Sequence, residues 1–176
     1  GGFRVKKATI FALAIVITAS SIVFAGDTVF RNLSWGDYIK ALGNCVLVNQ
    51  ETYPGIQIYR KTDENLNLGS FKASWIEYYF FDDKLLKIVV QAPSGNSSEK
   101  HDALKRMLTA KYGEPHKANF FSDTAEWLYN DTRAELVWNL FDGVYFSLNS
   151  ISINKQYEAW LEKFKNNQAK SNAEAW

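Results

Sequence analysis

The sequence predicts an α+β protein: two helix-plus-antiparallel-sheet units, forming a tandem repeat in outline, and a C-terminal amphipathic helix. Three observations carry this. Strand-like segments come in runs divided by tight turns, which favours segregated helices and strands over an alternating parallel sheet. Leu104, Met107, Leu108 and Tyr112 recur at helical spacing. Tyr157, Trp160, Leu161 and Phe164 repeat that spacing near the C-terminus.

The elements follow in order. Ser34 is placed to cap a short helix over Trp35–Leu42, and Gly43-Asn44 ends it. Cys45–Asn49 reads as a strand, Tyr53-Pro54-Gly55 as a turn, and residues 56–60 as a half-buried strand with alternating polarity. Residues 61–69 are polar and loop-like. Ser70–Phe81 is aromatic and β-branched enough for one long strand. Asp82-Asp83-Lys84 turns it back into Leu85–Ala92. Ser97 or Ser98 starts the first clear helix, while Gly113 and Pro115 stop it. Strands are expected at Lys117–Phe121, Ala125–Tyr129, Arg133–Leu140 and Val144–Ile153. The last helix covers about Lys155–Asn166, and 167–176 reads as a flexible tail. Residues 26–166 thus form one α+β domain with two half-repeats, 30–92 and 97–153. The echo rests on matching helix exits, Leu42-Gly43 and Tyr112-Gly113, and matching hairpin turns, Phe81-Asp82-Asp83 and Phe141-Asp142-Gly143.

The N-terminus reads as an export signal. Arg4, Lys6 and Lys7 precede an uncharged stretch from Ala8 to Ala25, and Val23-Phe24-Ala25 forms a small-residue exit. Residues 1–25 are expected to be a signal peptide, the alternative being an uncleaved N-terminal anchor in the inner membrane. The expected location is therefore periplasmic or secreted, in a bacterial envelope. A membrane contact is expected only through residues 8–25, if they stay uncut.

Composition bounds the chemistry. The 176 residues carry 20 Lys+Arg against 19 Asp+Glu. Without residues 1–25 the balance is 17 against 19, or −2. Nucleic acid is not an expected partner at that charge. One cysteine and two histidines leave few ligands for a transition metal, and no metal or cofactor is expected. Cys45, inside an apolar run, is expected to be buried and inert.

Catalytic patterns are weak. Ser97-Ser98-Glu99-Lys100 has the spacing in which a lysine one helical turn on could deprotonate a serine, but the accompanying K-T-G strand is missing. His101, His116, Asp82-Asp83 and Asp123 offer acid–base groups without a spacing that unites them. The histidines are expected at the surface, and the paired aspartates in a turn. No catalytic residue is assigned.

The aromatic content is the remaining signal: 6 Trp, 9 Tyr and 12 Phe. In a strand Trp75, Tyr79 and Phe81 share one face, while Ile76, Tyr78 and Phe80 share the other. One face is core. The other either lies under the terminal helix, through Trp160 and Phe164, or forms a binding surface that Trp127, Tyr129, Trp138 and Tyr145 extend. The candidate ligand- or partner-binding residues are accordingly Trp75, Tyr79, Phe81, Trp127 and Trp138.

Three segments together resemble a known pattern: Phe30-Arg-Asn-Leu33-Ser-Trp35-Gly36, Tyr79-Phe80-Phe81-Asp82-Asp83-Lys84-Leu85, and the exit Lys111-Tyr112-Gly113-Glu114-Pro115. They look like a class of small exported bacterial proteins of undefined function. The helix followed by antiparallel strands also resembles the small lipoprotein of the outer-membrane barrel-assembly machinery, and its tandem form is similar to the β-lactamase inhibitor proteins. No lipidation cysteine follows residues 1–25. The resemblance implies protein binding rather than catalysis. The expectation is a non-enzymatic envelope protein that binds another envelope protein. The alternatives are a carbohydrate-binding module that takes a glycan on exposed aromatics, and a small hydrolase without a recognisable motif.

Overall fold

The computed structural model describes residues 28–49, 53–69, 71–119, 124–139 and 143–174. Residues 1–25, expected as a signal peptide, Asp123 and the Phe141-Asp142 turn lie outside these residues. A 3-10 turn at Ile39–Leu42 leads into β1 (Cys45–Asn49) and β2 (Ile56–Lys61). A small hairpin, β3 (Asn67–Leu68) and β4 (Phe71–Lys72), precedes β5 (Trp75–Phe81), β6 (Lys84–Gln91) and α1 (Ser97–Tyr112). Then come β7 (Lys117–Asn119), β8 (Thr124–Tyr129), β9 (Thr132–Asn139), β10 (Gly143–Ser150) and α2 (Ile151–Glu174).

The α+β class expected from sequence is what the chain adopts. Eight strands form one antiparallel sheet in the order β1-β2-β5-β6-β10-β9-β8-β7. Two four-stranded meanders therefore meet where β6 pairs with β10. Asp82 and Asp83 both take positive φ, 51° and 59°, the backbone of a two-residue hairpin turn whose twist suits the flanking strands. Opposite Tyr79/Phe80 the register shifts by one residue, so Leu86 joins Lys87 on the face away from the main core.

The inner face holds the main core. It takes Ile76, Tyr78 and Phe80 from β5, Leu85, Ile88 and Val90 from β6, and Val144, Phe146 and Leu148 from β10. Leu136, Ala125 and Trp127 continue it across β9 and β8. α1 covers this side with Leu104 and Leu108, and the N-terminal segment adds Val29, Phe30, Leu33 and Leu42. Trp127 is 1% exposed, and its indole N–H donates to the Gly113 carbonyl at 2.9 Å, so burial leaves no orphaned donor. The Arg31 guanidinium pairs with Glu64, whose other oxygen accepts from the Tyr78 hydroxyl at 2.6 Å.

The outer face carries a smaller cluster: Ile56, Ile58, Leu86 and Ile153, flanked by Phe81 and Tyr157. α2 lies against it through an aromatic ladder. Phe81 meets Tyr157 at 5.3 Å and Trp160 at 5.6 Å, and Trp160 stacks on Phe164 at 5.2 Å. Gly55 sits under Trp160. A Cβ there would lie 2.7 Å from the ring, and φ is +76°, so both space and backbone select glycine.

Several local expectations change. The helix over Trp35–Leu42 is only the 3-10 turn, because Gly36 and Asp37 spend their backbone groups on Leu85, at 3.1 and 2.8 Å. Gly36 also has φ +81°. The long strand from Ser70 splits, as Ala73 bonds Leu66 and Ser74 bonds Gln91. Neither Ser97 nor Ser98 caps α1. Asn96 occupies that position in the left-handed region, without a side-chain bond. Cys45 is only partly buried, and Val46, Leu47 and Val48 are 52%, 43% and 41% exposed, since β1 is an edge strand with one neighbour.

The terminal helix is longer than expected, Ile151–Glu174. It includes residues 167–174, expected as a frayed tail, because the sequence from 163 onward has no Gly or Pro to stop it. Its start replaces the end of the expected last strand. Asp131, in the β8–β9 turn, accepts from the Ser152 amide, the Ser152 hydroxyl and the Ser150 hydroxyl at 2.7–2.8 Å. The Ser150 hydroxyl in turn accepts the Ile153 amide at 3.2 Å. A distant turn thus caps α2 and aims it over the sheet. Asp131→Ala should cost about 1–2 kcal/mol, as cap removals do. Urea unfolding should show a lower midpoint, with Asp131→Asn, which keeps an acceptor, falling between the two.

Candidate functional site

The register arranges the outer face in rows. Tyr79, Lys87, Asn149 and Arg133 are successive cross-strand partners on β5, β6, β10 and β9. The next row is Glu77, Val89, Ser147 and Glu135, continued by Glu126 on β8. The third is Trp75, Gln91, Tyr145 and Val137, continued by Thr124. The apolar contacts of α2 fall at the Ile56, Phe81 and Leu86 end. α2 therefore roofs one corner of the outer face, away from its Trp75–Tyr145 row.

Polar side chains on this face are held in a network. Arg60 bonds Glu77 at 2.7 Å and lies over the Trp75 ring at 5.1 Å. The Tyr79 hydroxyl donates to the other Glu77 oxygen at 3.1 Å. Glu77, 8% exposed, is therefore charge-compensated despite its burial. Glu126 and Glu135 stand directly opposite each other and repel, and Arg133 offsets this by bonding Glu126 at 2.9 Å. The Lys87 ammonium lies 5.6 Å from the Tyr79 ring centre. Burial lowers the Lys87 pKa from its ordinary value; Glu135 raises it and Arg133 lowers it further.

Trp75, Tyr79 and Phe81 share the outer face, as alternation predicts, and Ile76, Tyr78 and Phe80 fill the core. Phe81 packs under Tyr157 and Trp160, while Trp75, at the other end of the strand, carries the Arg60 guanidinium on its ring; both side chains are half-buried. Trp127 and Trp138 do not extend this surface, and the expectation for them is corrected. Their alternation on β8 and β9 points them to the α1 side, where Trp127 is buried and Trp138 packs on the core beside His101, ring centres 6.2 Å apart. Tyr129 likewise meets Tyr112, at 6.1 Å. Tyr145, in the third row, is the one of that group on the outer face.

Glu77, Lys87, Arg133, Glu135 and Asn149 had no place among the expected site residues. Their signal was present as polar residues alternating with core positions, for example Asn149 between Leu148 and Ser150.

Among the described residues the acid–base candidates are not brought together. His101 lies near the start of α1 and is mostly buried, its side chain 12% exposed, rather than at the surface. His116 is exposed beyond the helix's end, some 18 Å of helix away at about 1.5 Å per residue. The Lys100 ammonium donates to the carbonyls of Pro93 (2.9 Å), Ser94 (2.8 Å) and Gly95, so it is a bound cation rather than a base for Ser97. Among the described residues no three His, Cys, Asp or Glu side chains cluster as a metal site, and no helix is long and apolar enough to cross a membrane. A cleft of about 250 Å³ lies between the N-terminal segment and the β8–β9 turn. Its polar walls bond within the chain: Lys111 to the Val29 carbonyl at 2.6 Å, and Trp35 to the Thr132 hydroxyl at 2.9 Å.

This geometry defines a class: an α+β protein whose antiparallel sheet is covered on one face and only part-roofed on the other. No family model matches the chain, and no curated protein or solved structure matches it either.

Burial raises three phenols on these faces: Tyr78 and Tyr112 to about 12, and Tyr79 further, with Glu77 adding to the last. A folded-state pKa above the unfolded value means that ionisation favours unfolding. Stability from these groups is full below the ordinary tyrosine pKa and is lost as pH rises through the folded values. Phenolate absorbance should therefore show a late-titrating group that merges with alkaline unfolding. In Tyr78→Phe, Tyr79→Phe and Tyr112→Phe that late amplitude should shrink one residue at a time.

Proposed function

We propose that this chain is a non-enzymatic, exported protein-binding module that docks another envelope protein on the outer face of its sheet. The observation that supports it best is the partial roof: α2 closes the Phe81 corner and leaves Arg60, Trp75, Gln91 and Tyr145 on a rigid sheet. Interface anchors are enriched in Trp, Tyr and Arg, and a sheet holds them at low entropic cost. The described acid–base candidates favour the same reading: Lys100 and the Asp82-Asp83 pair serve the fold, and the two histidines stand apart.

The two meanders on either side of the β6–β10 seam are read as a tandem repeat, one preceded by the 3-10 turn that ends at Gly43 and the other by the longer helix α1 that ends at Gly113, both glycines at positive φ. That arrangement supports the resemblance to the inhibitor and assembly-factor proteins. Residues 1–25 are taken as the export signal. Among the alternatives, a glycan platform fits less well, since the Arg60 guanidinium already stacks on the Trp75 ring.

The test is made in cells. The full chain is expressed with a C-terminal tag in a Gram-negative host and crosslinked. A chain starting near Gly26, with a discrete protein partner, is the expected result. Trp75→Ala and Tyr145→Ala should weaken capture about tenfold or more at unchanged stability, as hot-spot truncations do. A chain without a partner, or capture indifferent to both substitutions, would overturn the proposal. An uncut, membrane-pelleting chain would replace export by anchoring.

A further inference from the structure

Beneath the first two turns of α2 the outer face forms a separate cleft, about 350 Å³, walled by Lys87, Arg133, Glu135, Asn149, Asn154 and Lys155. It is polar where the neighbouring corner under Trp160 is apolar. The groups in it are unequally satisfied. Arg133 is held by Glu126, Asn149 donates to the Ser147 hydroxyl at 3.1 Å, and Asn154 donates to Glu158 at 2.7 Å. Lys87 makes no hydrogen bond or ion pair among the described residues; its ammonium lies 5.6 Å from the Tyr79 ring centre. Glu135, two strands away across Asn149 and Ser147, also has no hydrogen bond or ion pair among them. A partly buried ammonium and a carboxylate thus face one space without an ion pair between them, although the Glu135 charge acts on Lys87.

That is an uncommon arrangement for a purely structural region. A partly buried cation without an acceptor is costly, and chains ordinarily pair it or deprotonate it. Here an ammonium and a carboxylate, neither of them hydrogen-bonded among the described residues, line one cleft of small-molecule size. A carboxylate would satisfy Lys87, and a donor on the adjacent carbon would satisfy Glu135. Arg133 and Lys155 add two positive charges to the walls, and Glu158 adds a negative one.

We propose that this cleft binds a small α-amino or α-hydroxy acid, its carboxylate on Lys87 and its amino or hydroxyl group directed to Glu135. The site stands apart from the docking surface at the Trp75–Tyr145 end and does not depend on it.

The test is a titration of the full chain followed by NMR, observing the Lys87 ammonium and the Asn149 side-chain amide. The probes are glycine, lactate, acetate and ethylamine. Glycine or lactate should shift both signals saturably and raise the Lys87 pKa towards its ordinary value, because an anion favours the charged amine. Acetate should bind about tenfold more weakly and ethylamine not measurably, a tenfold step being about 1.4 kcal/mol. Lys87→Met should abolish the Asn149 response. Glu135→Gln should bring glycine and lactate down to acetate's affinity while keeping acetate unchanged. Unfolding midpoints of both variants show whether a loss is local. No shift with any probe on the wild-type chain, or equal binding of acetate and glycine, would overturn the proposal, whatever the crosslinking experiment gives.

Discussion

The antiparallel pairing of β6 with β10 is the constraint on which the rest of the structure depends. It joins the two meanders into one sheet and sets which residues share a row. On the inner side it buries Ile88 and Val90 beside Leu148 and Phe146. On the outer side it places Lys87 beside Asn149, Val89 beside Ser147, and Gln91 beside Tyr145. A slip of one residue would exchange the two sets and drive Lys87 and Asn149 into the core. The burial that fixes the fold therefore also fixes the chemistry of the opposite face.

The second determinant is where α2 begins. β10 ends at Ser150, and the helix starts at once, captured by Asp131 from a turn on the far side of β9. That capture gives α2 a fixed origin. The Tyr157–Trp160–Phe164 ladder then gives it a direction, across Phe81 and down onto Gly55. With both ends of this contact specified, the roof covers one corner only. The rows from Trp75 to Tyr145 stay clear of it, and the polar cleft forms where its first turns cross Lys87 and Arg133.

How much of this was legible in the sequence differs by element. Helix α1 and the β5–β6 hairpin were readable because their signals are local: apolar spacing, a terminal Gly-Pro pair and an Asp-Asp turn. The split of β5 by face was readable too, since alternation is a property of the strand alone. What failed depended on distant partners. The helix expected after Ser34 lost its backbone groups to Leu85, about fifty residues on. The start of α2 was hidden because Asp131 supplies its cap from another hairpin. Trp127 and Trp138 were placed with Trp75 because aromatic content does not say which face of a sheet two separate strands present to each other. Only the cross-strand register says so, and one sequence does not contain it. The Lys87–Glu135 cleft was out of reach for the same reason.

α2 packs on the Phe81 end of the outer face and not on the Trp75–Tyr145 end, and the docking proposed for this face depends on that difference. Hydroxyl-radical footprinting of the full chain, read residue by residue, tests it directly. Trp75 and Tyr145 should be oxidised readily, with Phe81 protected nearly as well as the core residues Trp127 and Phe146. Protection of Trp75 and Tyr145 equal to that of Trp127 would mean that the whole face is covered, and would contradict the partial roof and the docking proposed on it.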